Sequence, residues 1–325
     1  MRTALVTAAL LALAVALGLV LGHGSLADPA VRGAFLELRA LRIANAGLAG
    51  AALAVAGVLM QGLFRNPLAS PSVLGTSAGA ALGGQLSLLL HGAIAASAPA
   101  WLAPEMLLPL GCFAGAALSL AILLLVIGRV LRSGGDALVA VLLAGFLLAS
   151  GFAAVGALAT WLGQSSWEIG RTLVAFTLGG VDGKGPRHVA LALPLVAIGI
   201  AAAWAWGRHL DALLAGEEEA AALGVDVRSA RRWILVWTAV LTAAATAIGG
   251  GVAFIGLIVP HALRPFTGVA HRRLIPVAAL GGAAFLILCD ALCRVAPGGE
   301  LPLGVVTGLL GAPLFLGLVL RLHRA

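Results

Sequence analysis

The feature that most constrains this chain is a succession of about ten apolar stretches, each near the roughly 20 residues a helix needs to cross a bilayer core. They fall near 4–22, 41–63, 72–91, 106–127, 137–160, 188–207, 232–249, 251–268, 274–293 and 303–321. The first reads as a span, not as a cleaved leader. Hydrophobic residues make up 61% of the 325 and charged residues 10%, against about 25% in an average soluble domain. A soluble fold has too little polar cover for that many apolar side chains. A water-soluble enzyme, a disordered chain and a disulfide-stapled secreted scaffold are excluded. The expectation is an all-α polytopic membrane protein, one transmembrane unit over residues 1–325.

Basic residues orient it. With the N-terminus inside and ten crossings, thirteen Lys and Arg fall on the cytoplasmic side and seven outside. That bias predicts an N-in, C-in topology. The formal charge of +7 does not imply nucleic acid, because the bases stand singly at the ends of apolar stretches. Gly75, Gly79 and Gly83 repeat every four residues, as do Gly304 and Gly308. Each series predicts a smooth ridge where another backbone approaches. Segment 161–187 predicts an outer re-entrant element. Trp161 and Trp167 suit headgroup depth, and the apolar run Leu173–Leu178 is too short to span. A half-helix followed by a Gly179–Gly183 turn belongs near a translocation path, since irregular backbone at membrane depth must face protein or water.

Covalent chemistry has no visible home. Gly179–Gly185 (GGVDGKG) has the wrong spacing for a P-loop and Gly where Ser or Thr would hold magnesium. The seven histidines are dispersed, and Cys112, Cys289 and Cys293 read as packing residues. No catalytic residue, metal site or cofactor of its own is expected. The span centres carry no acid. Asp290, toward an outer end and four residues before Arg294, reads as a salt-bridge partner. The alternative of an ion- or proton-coupled carrier working without an ATPase therefore lacks a coupling group. The longest inner loop, about 208–232, contains Gly216–Val225 (GEEEAAALGV). Glu217–Leu223 predicts a short helix with acids at its positive end. Gly224 is a stop, and Asp226 can cap a second short helix.

Four segments resemble the signatures of the FecCD-type permeases of ABC importers: Gln61–Gly75 (QGLFRNPLASPSVLG), Gly216–Val225, Gly256–Arg264 (GLIVPHALR) and Glu300–Pro313 (ELPLGVVTGLLGAP). They stand in the family's order. The resemblance implies the type II permease fold with ten helices in the inner membrane, and a homodimer with its path on the two-fold axis. It implies two ATP-binding subunits below, which hold the ATP and Mg2+, and a soluble binding protein outside. The cargo would be a metal chelate, a ferric siderophore or haem ahead of cobalamin. By the same resemblance Asn66 and Leu68 would form the inner gate with Leu138 and Val139. Gly216, Glu217, Glu218, Glu219, Ala220, Leu223, Gly224 and Val225 would couple to the ATPase. In the vitamin B12-carrying branch, arginines of an Arg-Leu-Pro-Arg motif and one before Glu-Leu-Pro engage acids of the binding protein. Arg39, Arg42 and Arg294 match those positions, although Arg39–Arg42 lacks the proline.

Overall fold

The computed structural model describes residues 2–22, 29–97, 103–132, 137–296 and 299–322, and among the described residues there is no strand. The helices are α1 (Arg2–Val20), α2 (Pro29–Leu63), α3 (Thr76–Leu89), α4 (His91–Ser97), α5 (Leu107–Arg132), α6 (Ala137–Gly163) and α7 (Trp167–Leu178). They continue as α8 (Pro186–Ala215), α9 (Glu217–Ala222), α10 (Val227–Gly249), α11 (Ile255–Thr267), α12 (His271–Val295) and α13 (Leu303–Leu322). Seven of the described helices are long and apolar enough to cross a membrane: α1, α2, α5, α6, α8, α10 and α12.

Each of the ten expected stretches coincides with a helix, though several differ in length, and α8 runs on to Ala215 rather than ending near 207. Helices α3 and α11 have 14 and 13 residues. At about 1.5 Å per residue they rise about 20 Å, short of a ~30 Å core. Irregular backbone supplies the rest: a 3-10 turn over Pro71–Leu74 precedes α3, and residues 250–254 precede α11. Helix α2 starts at Pro29 rather than at residue 41. No proline interrupts it between Val31 and Ile43, and Pro29 suits a first helical turn. Helix α4 has no counterpart among the expected stretches.

Helices α2, α10 and α12 form the buried centre, with α8 and α11 against them, α1 laid on α12, and α3 paired with α5. Small residues make this possible. A Cβ on Gly50 would strike the Gly282 carbonyl, and one on Gly57 would strike that of Gly256. The ridge on α3 finds a matching ridge on α5 at two of its three positions: Gly79 and Gly83 lie against the backbone of Gly115 and Gly111, while Gly75, left-handed just before α3, faces Gly145 of α6. The second expected ridge is only half used. Gly304 is pressed against Gly251 and Leu178, while Gly308 has nothing within 4 Å. Polar residues within α10 satisfy themselves: Thr238, Thr242 and Thr246 each donate to the carbonyl four residues back, at 2.8, 2.7 and 2.9 Å.

Candidate functional site

At one end of the bundle α2 stops in a Schellman turn. The Asn66 N–H donates to the Gln61 carbonyl and the Arg65 N–H to that of Gly62, both at 3.2 Å. Arg65 sits in the left-handed region at φ 49, which costs a non-glycine residue about 1–2 kcal/mol. Pro67 forbids further helix, and the Asn66 side chain accepts from the Leu68 N–H at 2.9 Å. Asn66 and Leu68 are therefore exposed at a rigid break. A cavity of about 290 Å³ lies between Ser70–Ser72 and residues 252–257. Below it, buried Gln61 donates to the Leu257 carbonyl at 3.2 Å and accepts from Arg264 at 3.3 Å. Leu138 and Val139 fall in the first turn of α6; their side chains lie outside the described residues.

The same end carries α9. Gly216 enters at φ 140, where a side chain would be strained. Gly224, at φ 83, closes the helix, donating to Ala221 at 2.9 Å while Val225 donates to Ala220 at 3.0 Å. Ala220 is buried in the core beside Leu210 and Leu213, which pins the helix to α8. Glu217 is paired with Arg231, Glu218 and Glu219 are exposed, and Leu223 is 73% exposed. Asp226 caps as expected, accepting from the Ser229 N–H at 3.0 Å, but the helix it caps is the long α10 rather than a second short one.

Sequence reasoning passed over a joint beside α9. Asp211, near the end of α8, accepts from the His271 backbone N–H at 2.8 Å and lies 2.7 Å from its ring Nδ1. His271 is fully buried, and Gly62 is the residue whose missing side chain leaves room for its Nε2. One carboxylate thus joins α8 to the start of α12, and the His271 ring it holds packs on the end of α2 at Gly62. Nothing in local spacing signals a cap supplied from 60 residues away.

At the far end the structure brings Arg39, Arg42 and Arg294 together, but not as three outward charges. Arg39 is 5% exposed and donates to the Leu19, Val20 and Gly22 carbonyls at 2.7, 3.0 and 3.2 Å. Arg294, 3% exposed, donates to the Gly18 and Leu21 carbonyls at 2.9 and 3.0 Å. Both satisfy the carbonyls that end α1, where cations are favoured. Arg294 also sits 3.1 Å from Asp290, the salt bridge expected from their spacing. Arg42 bridges buried Asp290 and partly exposed Glu300, each at 2.8 Å.

Three breaks in the chain knit together near this end. Gly180 donates to Gly249 at 3.0 Å, Gly251 to Phe176 at 3.1 Å, and Leu303 to Gly179 at 2.9 Å. Helix α7 is the short element the sequence predicts, and buried Gln85 seats it by donating to Thr177 at 2.9 Å. A cavity of about 630 Å³ opens beside α7, lined in part by Trp167, Glu168, Arg171, Asp182 and Lys184. Burial pushes the Lys184 ammonium below its ordinary range.

A helical bundle with seven apolar spans, irregular backbone knitted between them and an exposed capped helix at one end is the architecture of a multi-pass membrane protein. Residues 3–321 match the FecCD transport family, and the chain belongs to it. It is 38% identical, over 87% of its length and 72% of the relative's, to the cobalamin import system permease protein BtuC of Halobacterium salinarum. It is also 38% identical, over 89% of its length and 85% of the relative's, to the Fe(3+) dicitrate transport system permease protein FecD of Escherichia coli. An inward-facing structure of a transporter assigned to the metal-chelate ABC type superposes at TM-score 0.85 with 27% identity, covering 98% of this chain and 99% of that one. The chain is an integral inner-membrane permease of this family.

Proposed function

We propose that this chain is the membrane subunit of an ATP-driven importer that moves a metal chelate inward, an iron complex (ferric siderophore or haem) ahead of cobalamin. Ten helices cross, counting α3, α11 and α13, with both termini inside, and residues 1–325 form one transmembrane unit. Two copies flank the path, two ATP-binding subunits sit below, and a soluble binding protein delivers cargo from outside. ATP and Mg2+ belong to the partner subunits, and this chain holds no catalytic residue, cofactor or metal.

The observation that carries this reading is α9: a capped helix anchored through Ala220 that presents an acidic face and the bare Leu223. Gly216, Gly224 and Val225 fix its ends; Glu217, Glu218, Glu219 and Leu223 face the ATPase. ATP binding there moves α9, and the two ends of the bundle open in alternation. Asn66 and Leu68 form the inner gate with Leu138 and Val139. At the outer end Arg39, Arg42 and Arg294 make the docking floor, with Arg42, its side chain 16% exposed, meeting the partner's acid directly.

In proteoliposomes, ATP-driven uptake of a ferric chelate should require the ATP-binding subunits and the binding protein. Uptake driven by an ion gradient without the ATPase overturns the reading. For the gate, Asn66→Cys should react with thiol reagents faster in one nucleotide state than in the other, and Leu68→Ala should raise uncoupled flux. Equal reactivity in both states, with unchanged flux and coupling, reduces these residues to a turn.

A further inference from the structure

Arg42 is held unequally on its two sides. Its Nε and Nη2 donate to Asp290 Oδ1 at 3.3 and 2.8 Å, and its Nη1 donates to both carboxylate oxygens of Glu300 at 3.1 and 2.8 Å. The Asp290 side chain is 2% exposed and that of Glu300 is 44% exposed. Breaking a buried pair costs heavily because a charge is left uncompensated. Breaking an exposed pair costs little, since water replaces the lost partner. Asp290 therefore fixes the guanidinium in place, while Glu300 is a ligand that can leave.

There is room for a replacement. A cavity of about 160 Å³ opens beside Arg42, lined by Asp182, Asp290, Glu300 and the backbone of Gly179 and Gly180. Glu300 also lies on the link into α13, which is otherwise tied by backbone bonds: Leu301 donates to Cys293 at 3.1 Å, and Leu303 to Gly179 at 2.9 Å. We propose that Glu300 is an internal stand-in for an acidic side chain of the binding protein, which takes its place on Arg42 during docking. Glu300 then sets docking affinity by competition, and its release removes the side-chain tie on the entrance to α13. This rests on the docking role of Arg42 proposed above.

The test uses the full-length permease in nanodiscs at low ionic strength, with a fluorescent hexaglutamate peptide as the acidic probe. Glu300→Gln should bind the peptide about fivefold tighter, the scale of one exposed ion pair. Glu300→Ala should gain at least as much, since a glutamine amide still accepts from Arg42. The gain should vanish in the Arg42→Gln background, and it should clearly exceed the gain from Asp182→Asn, which lines the same cavity and reports the plain charge repulsion that low ionic strength leaves unscreened. No gain in either Glu300 variant overturns the proposal, as does an equal gain from Asp182→Asn, which marks general charge repulsion. The docking reading fails separately, if Arg42→Glu leaves the affinity of the binding protein itself unchanged.

Discussion

Replacing Gly57 with valine is expected to abolish accumulation of the folded permease. Helix α2 crosses the start of α11 with Gly57 directly against Gly256, whose carbonyl carbon and Cα would lie 2.5 and 2.6 Å from an added Cβ. The obstacle is backbone, so no rotamer change relieves it. Ordinary overpacking costs about 1–3 kcal/mol; displacing two helices costs more, against a total stability of about 5–15 kcal/mol. The damage spreads, because Gln61 holds the Leu257 carbonyl one turn further along the same crossing. Gly33→Ala is the control, since nothing lies within 4 Å of that position. Fluorescence-detected size exclusion of the two variants in detergent measures the difference. A monodisperse Gly57→Val peak of normal height and thermal stability contradicts the packing argument.

Ala221→Pro is expected to leave insertion intact and abolish coupled transport. Ala221 is exposed, so no packing is lost, and the spans are untouched. The proline ring instead meets the carbonyl four residues back and removes a helix donor, at about 3 kcal/mol or more. That shifts the local helix–coil balance by about a hundredfold, in a helix of only 6 residues. Glu217→Ala should be mild, because its pairing with Arg231 is exposed on the Glu217 side and worth about 0–1 kcal/mol. Co-purification of the ATP-binding subunit and ATP-driven uptake are the readouts. A proline variant that assembles and transports like the parent removes α9 from the coupling path.

Apolar length made most helices legible, and turn chemistry made α9 legible: Gly216, Gly224 and Asp226 all do locally what their residue types dictate. Four-residue spacing identified the ridge of Gly79 and Gly83, but spacing names a face and not its partner. Nothing in the sequence pointed to Gly111 and Gly115 across it, or warned that Gly308 would be left open. The arginines illustrate the same limit. Position on apolar stretches put Arg39, Arg42 and Arg294 at one end, where they do meet. Only the fold reveals that Arg39 and Arg294 close the end of α1. Likewise α11 is shorter than its apolar stretch, and in the break before it Gly251 donates to the carbonyl of Phe176, far back in the sequence. Long-range partners of this kind leave no periodic trace.

The junction of residues 179–180, 249–251 and 303 is written in main-chain atoms, and that changes which kinds of genetic variation it tolerates. Swapping a side chain leaves an N–H or a carbonyl where it was, so substitutions there are absorbed outside the crowded Gly251 and Gly304 and the positive-φ Gly179 and Gly250. Inserting or deleting one codon moves every donor past its acceptor at once. Descendants of this chain can therefore vary in spelling at uncrowded positions such as Gly249 while the length of the region stays locked.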